Sequence, residues 1–256
     1  MNDIFTYEDY KNLLVNMKKI GRIFTFSSLD KNIKSGFVLR HDVDFDLGKA
    51  YKMFEIEKNL NVKSTYFILT TSDLYNINSK INRDILIKMN RSGFEIGLHF
   101  DPTIYGGISL EDMIVKVREE ANIIENIIEN KIKSISLHNP SIHNQYPKFD
   151  GYINAYSKEF FNSDLYISDS CKNFRGKNLN EFIEKGKHEI IQVLFHPIHF
   201  GKEELTYVTS FNKIIKSKME KFDKSMQINN TYKGEIENRS LLECFVDFVE
   251  EKSDEK

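Results

Sequence analysis

Five short apolar runs in this sequence each end in an aspartate or a histidine, and helical stretches separate most of them. The first is Phe37-Val38-Leu39 running into Arg40-His41-Asp42-Val43-Asp44, and the others end at His99, His138, Asp169 and His196. Strands that alternate with helices argue for a parallel sheet, because parallel neighbours need a crossover connection and that connection is usually a helix. In barrels and doubly wound sheets alike the site forms at the carboxyl ends of the strands, so these polar ends converge in either fold.

The spacing of apolar residues predicts a leading helix over Tyr7 to Ile20, stopped by Gly21, then a strand over Gly36 to Asp44 and a helix over Leu47 to Leu60. Further strands are expected at Ser64 to Leu69, Phe94 to Asp101, Lys133 to Leu137, Leu165 to Ser168 and Ile190 to Phe195. Helices are expected at Ile81 to Asn90, Ser109 to Asn130, Phe211 to Phe222 and Ser240 to Glu250. No stretch rich in Pro, Gly or Ser interrupts the 256 residues, so the expectation is one principal domain over 36–225, a helical extension over 1–35, and a C-terminal helix and tail over 226–256 packed on it.

With 36 basic and 38 acidic side chains the charge balance offers no nucleic-acid footprint, and the basic run Lys213 to Lys224 has the spacing of a solvated helix face. Neither a secretory n-region and h-region nor an apolar run of bilayer length is present, so a cytoplasmic protein without a membrane span is expected. Cys171 and Cys244 are too few for a disulfide framework and suit free thiols.

Alternation along the first strand puts Asp42 and Asp44 on one face and His41 on the other. Two carboxylates in one pocket need a proton or a metal ion between them. Asp46 fits better as the cap of the following helix. His99, His138 and His196 stand at strand ends, whereas His143 and His188 have polar, loop-like surroundings and read as structural. His199 could sit at the pocket rim or on the surface. An aspartate with two histidines suits a divalent metal, zinc by default, with Fe, Co or Ni also possible.

The order of the Asp-containing strand, Glu95-Ile96-Gly97-Leu98-His99, His138-Asn139-Pro140, Asp169 and Leu194-Phe195-His196 resembles the five motifs of the polysaccharide deacetylase family, over roughly 36–201. The resemblance implies a deformed (β/α) barrel of about seven parallel strands and hydrolysis of N-acetyl groups on amino sugars with a divalent metal. It implies Asp42 as catalytic base, Asp44 and His99 as metal ligands, and His196 as the proton donor. Two departures stand out. Val43 separates two aspartates that the family has adjacent, and Thr103 occupies the place of the second metal histidine. Asp101 or His138 would complete the metal site, His138 being preferred because imidazole restores an Asp-His-His set. His138 in turn replaces the family's arginine that holds the base, a task left to Arg40 or Arg175. Asp169 and Phe174-Arg175 resemble a diverged fourth motif.

The expected function is removal of an acetyl or formyl group from a small-molecule or oligosaccharide amino sugar, a sugar nucleotide or surface-glycan precursor. The alternative, motivated by Thr103, is an inactive relative serving as a carbohydrate-binding or assembly protein. A phosphate-ester hydrolase would want a richly basic pocket, and the strand ends offer only Arg40.

Overall fold

The computed structural model describes residues 5–140 and 146–253. The chain divides into two compact units, Met1–Glu204 and Leu205–Lys256. His143 lies outside the described residues.

The first unit is built on a wholly parallel sheet. Its strands are β1 (Ile23–Phe24), β2 (Gly36–Val43), β3 (Thr65–Leu69), β4 (Glu95–Phe100), β5 (Ser134–Leu137), β6 (Ile153–Asn154), β7 (Tyr166–Ser168) and β8 (Ile190–Phe195). Seven of them follow the order β6-β5-β4-β3-β2-β8-β7, and β1 pairs with the start of β2. Helices α1 (Tyr7–Ile20), α2 (Leu47–Asn59), α3 (Lys80–Arg91), α4 (Leu110–Ile128) and α5 (Leu179–Glu184) belong to the same unit. No pairing joins β6 to β7 among the described residues, so the curled sheet is an open, deformed barrel, as the sequence led us to expect. Side chains span that seam: Phe161 packs at 4.8 Å from Tyr156 and at 4.9 Å from Tyr166, ring centre to ring centre.

Local chemistry places the helix starts. Thr6 caps α1 in a reciprocal box with Asp9, Asp46 accepts the Gly48 N–H at 2.6 Å, and Ser109 accepts that of Asp112 at 3.1 Å. Each relieves one of the amides that a helix leaves without a partner at its first turn. Gly93, at φ 82°, turns the chain out of α3 and into β4 in a backbone region that side-chain-bearing residues avoid.

Alternation sorts each strand's residues between two environments. Outward residues of β3 and β4, Tyr66, Ile68, Ile96, Leu98 and Phe100, pack with α2, α3 and α4 in the largest apolar cluster. Phe37 and Leu39 of β2 pack outward with Tyr10, Leu13, Leu14 and Met17 of α1 and with Ile191, Val193 and Phe195 of β8. Inside the barrel, Phe26, Val38, Phe67, Ala155 and Phe160 form an apolar floor. On that floor lies Arg40, fully buried, its guanidinium 5.4 Å from the Phe67 ring centre and 4.7 Å from that of Tyr156.

The second unit consists of α6 (Tyr207–Met226), α7 (Asn230–Ile236) and α8 (Leu241–Ser253). Lys213 to Lys224 lies within α6, where Lys216 and Glu220 face each other one turn apart, in keeping with a solvated helix face. No helix among the described residues is long and apolar enough to cross a membrane.

Candidate metal centre

Continuing up the inner face of β2 from Arg40, the next two inward residues are Asp42 and Asp44, as alternation requires. Arg40 holds Asp42 with two parallel hydrogen bonds, Nε to Oδ1 at 2.8 Å and Nη2 to Oδ2 at 2.7 Å. Two further donors reach Gln192 Oε1 at 3.1 Å and the Tyr156 hydroxyl at 3.2 Å. A buried guanidinium whose fork is matched by one carboxylate is a satisfied ion pair. Burial by itself raises the Asp42 pKa, but the Arg40 charge, with His99 and His196, holds the carboxyl below its usual range.

Asp44 meets two histidines from neighbouring strands. His99 ends the inner face of β4, in register with Leu69 on one side and Ser136 on the other, and His138 follows β5. The three donor atoms are mutually close: His99 Nε2 to Asp44 Oδ1 3.1 Å, His138 Nδ1 to His99 Nε2 3.2 Å, and His138 Nδ1 to Asp44 Oδ1 3.5 Å. Ligands about 2.0–2.2 Å from a tetrahedral metal lie about 3.3–3.6 Å apart, so the spacing is close to that of one face of such a site. Buried Asp44 Oδ1 has no well-formed hydrogen-bond donor of its own, which a cation would remedy. Burial tends to raise the Asp44 pKa, and its contacts with His138 and His99 outweigh this and hold it well below the usual carboxylate range. His138 shifts the other way, burial pulling its pKa down and Asp44 pushing it up to a net rise. Asp44, His99 and His138 thus fit a divalent cation.

Ser136 orients the centre. Its hydroxyl lies 2.5 Å from His99 Nδ1 and donates to Asp42 Oδ1 at 3.4 Å. Accepting the Nδ1 proton fixes the tautomer that leaves His99 Nε2 bare and turned toward Asp44.

On the opposite wall, fully buried Asp169 follows β7. One carboxylate oxygen takes His196 Nδ1 at 2.6 Å, the other takes His199 Nδ1 at 2.8 Å, and the His196 backbone N–H donates to both at 3.0 and 3.1 Å. Burial raises the Asp169 pKa, but the two imidazoles lower it to about 2 overall. For His196 burial lowers the pKa, and Asp169 reverses that and raises it to about 9. Although Asp169, His196 and His199 also lie close enough to hold a cation, each Nδ1 is spent on a separate carboxylate oxygen, which is the pattern of a carboxylate that holds two rings.

Asp42, Asp44, His99, His138 and His196 line a cavity of about 310 Å³ whose other walls include Tyr146, Tyr156, Phe161, Tyr166, Cys171 and Arg175. Of the two arginines considered for holding Asp42, Arg40 does so, and Arg175 sits at the exposed rim. Asp101 is absent from the lining. Its Oδ1 accepts the Thr103 N–H at 2.9 Å and the Thr103 hydroxyl at 2.6 Å, which caps the short turn after β4 and occupies the Thr103 side chain as well. His41 faces away, bound to Glu57 at 2.6 Å and stacked on Tyr66 at 4.5 Å. His188 is exposed.

Sequence reasoning missed Tyr156, Gln192 and Ser136, and left His199 undecided. Alternation carried a signal for Ser136, since Ser134, Ser136 and His138 share a face. A signal for His199 lay in His196-Pro197-Ile198-His199, where residues three apart in a 3₁₀ turn stack on one side. Tyr156 lies in irregular chain beyond β6, where no period exists to read.

No protein-family model matches this sequence, and no curated protein matches it. Solved structures do. The chain is similar to the peptidoglycan deacetylase PdaC from Bacillus subtilis, at 17% identity and a TM-score of 0.44 over 74% of this chain and 85% of that one. It is similar to a chitin deacetylase from the fungal pathogen Colletotrichum lindemuthianum, at 17% identity and 0.45 over 71% and 81%. A CE4 family pseudoenzyme from Bacillus anthracis matches at 14% identity and 0.42 over 73% of this chain and 61% of that chain, so this chain spans less than two thirds of the pseudoenzyme.

Proposed function

We propose that this protein is a divergent member of the polysaccharide deacetylase family, a metal-dependent hydrolase that removes an N-acyl group, acetyl or formyl, from an amino sugar such as a sugar nucleotide or surface-glycan precursor. One observation carries this reading: Asp44 Oδ1, His99 Nε2 and His138 Nδ1 converge beside an aspartate held by arginine and across from a histidine held by aspartate. The donor set of two nitrogens and one oxygen favours zinc, with Fe, Co or Ni as other occupants. When bound, such a metal supplies Lewis acidity toward the amide carbonyl and makes water a stronger acid.

The chain's own residues supply the proton transfers. Asp42, kept ionised by Arg40, accepts the proton of the attacking water. His196, whose affinity for a proton the Asp169 carboxylate raises against the pull of burial, gives a proton to the nitrogen of the departing amine, without which the tetrahedral carbon expels water again instead of the sugar. Environment separates the two roles, an anionic base and a cationic acid facing one cavity.

Zinc-loaded protein incubated with N-acetylated amino sugars is expected to release acetate. Asp42→Asn and His196→Gln are each expected to lower the rate by about 10²-fold or more, the usual size of a general acid or base contribution. Stoichiometric zinc together with no acetate from any substrate would favour the inert reading, for which the diversion of Thr103 into a hydrogen bond with Asp101 is the supporting observation.

A further inference from the structure

We infer that Arg175 forms an anion-recognition point at the mouth of the cavity, so that the preferred substrate is an amino sugar carrying a phosphate or carboxylate. This rests on the proposed reading of the same site. The charges around the cavity do not cancel. Arg40 is consumed by Asp42, Asp169 by His196 and His199, and Asp44 by its two histidines or by a cation. Arg175 lines the same cavity, and among the described residues its guanidinium meets no carboxylate. Lys172 of the same loop is paired with Glu204 at 2.7 Å. With a divalent cation on Asp44, His99 and His138, the cavity is a net positive space, and a guanidinium presents a planar fork to phosphate or carboxylate.

The loop is built to hold that charge in place. Cys171, Lys172 and Arg175 have φ of 59°, 54° and 53°, and Gly176 follows at 76°. Three side-chain-bearing residues in the left-handed region are costly and persist only where the surroundings over-determine them. Here they do. Asn173 Oδ1 accepts the Arg175 N–H at 2.6 Å, Phe174 stacks on Phe5 at 6.0 Å, and Lys177 Nζ donates to the carbonyls of Ser163 and Tyr166 at 2.6 and 2.8 Å. A guanidinium on an anchored turn loses less freedom on binding than one on a loose chain.

Binding of N-acetylglucosamine, N-acetylglucosamine 1-phosphate and N-acetylmuramic acid to the full chain tests this by calorimetry, with zinc and after chelation to separate what the metal binds from what Arg175 binds. Acetate release is followed in parallel. Both anionic sugars are expected to bind about tenfold tighter than the neutral one, in the range of one charged hydrogen-bond pair. Arg175→Asn removes the charge with a residue that tolerates the left-handed region, and is expected to abolish that preference. Arg175→Lys is expected to restore part of it. If wild type shows no preference, or Arg175→Asn keeps it, the inference falls, whether or not acetate is released. An Arg175-dependent preference without acetate release sustains it while favouring the inert, carbohydrate-binding reading of the site.

Discussion

Asp169 does for His196 what Arg40 does for Asp42, with the charges exchanged, and both arrangements depend on burial. Solvent would screen either pair to a small effect, whereas Arg40, Asp42 and Asp169 are buried and His196 is only 15% exposed at its side chain. The pH consequences follow from the directions of the shifts. His196, raised from 6.5 to about 9 against the pull of burial, contributes stability that is complete below about pH 6.5 and is lost as pH rises through about 9. Asp169, lowered from 3.8 to about 2 although burial opposes this, contributes above about pH 3.8 and ceases to do so as pH falls through about 2. A carboxamide at position 169 keeps the shape and removes the charge. In metal-free protein, an NMR titration of His196 is therefore expected to give a midpoint near 9 in wild type and a midpoint displaced downward, toward the ordinary imidazole value, in Asp169→Asn. An unchanged midpoint in the variant would mean that Asp169 only packs against the ring.

Strand β4 shows how an element's packing reaches the site. Gly97 lies between the inward residues Glu95 and His99, and a Cβ there would come within 2.6 Å of Phe67 Cδ1 and Cε1 and 2.9 Å of Ser134 Oγ. Phe67 lies under the Arg40 guanidinium, so displacing it disturbs the floor on which the Asp42 clamp rests. Gly97→Ala is expected to cost about 1–3 kcal/mol, as overpacking of a filled core does, read as a lower urea midpoint at constant slope. A midpoint equal to wild type would show that Phe67 has room to move. What could be read from sequence tracks element length for the same physical reason. Eight residues of β2 gave alternation enough to set Asp42, and Asp44 just beyond it, apart from His41, and Asp46 and Ser109 marked helix starts by cap chemistry. Two-residue β1 and β6 and seven-residue α7 carry no usable period and went unseen. The Asp169 clamp was visible only by half, because the second ring comes from a 3₁₀ turn instead of a strand.

At the scale of the whole fold, the candidate metal centre draws one donor from just past β2, one from β4 and one from just past β5, which are not all adjacent in the sheet and lie far apart in sequence. Nothing holds those atoms together in an unfolded chain, so a cation that uses all three binds the folded protein and stabilises it by mass action. Free zinc at about a thousandfold over its dissociation constant would add about 4 kcal/mol, less whatever zinc the histidines and cysteines of the unfolded chain retain. Thermal unfolding monitored with and without zinc is expected to show a clear upward shift of the midpoint in wild type, reversed by chelation. Asp44→Ala removes the oxygen donor from the Asp44, His99 and His138 set and should lose most of that shift. Part of its own stability change runs the other way, since removing Asp44 also relieves a buried acceptor that has no well-formed donor. Comparing the zinc-dependent difference within each protein, instead of the two metal-free midpoints, isolates the metal contribution from that effect. An equal zinc shift in wild type and Asp44→Ala would place the cation elsewhere, with the Asp169, His196 and His199 group as the next candidate to titrate.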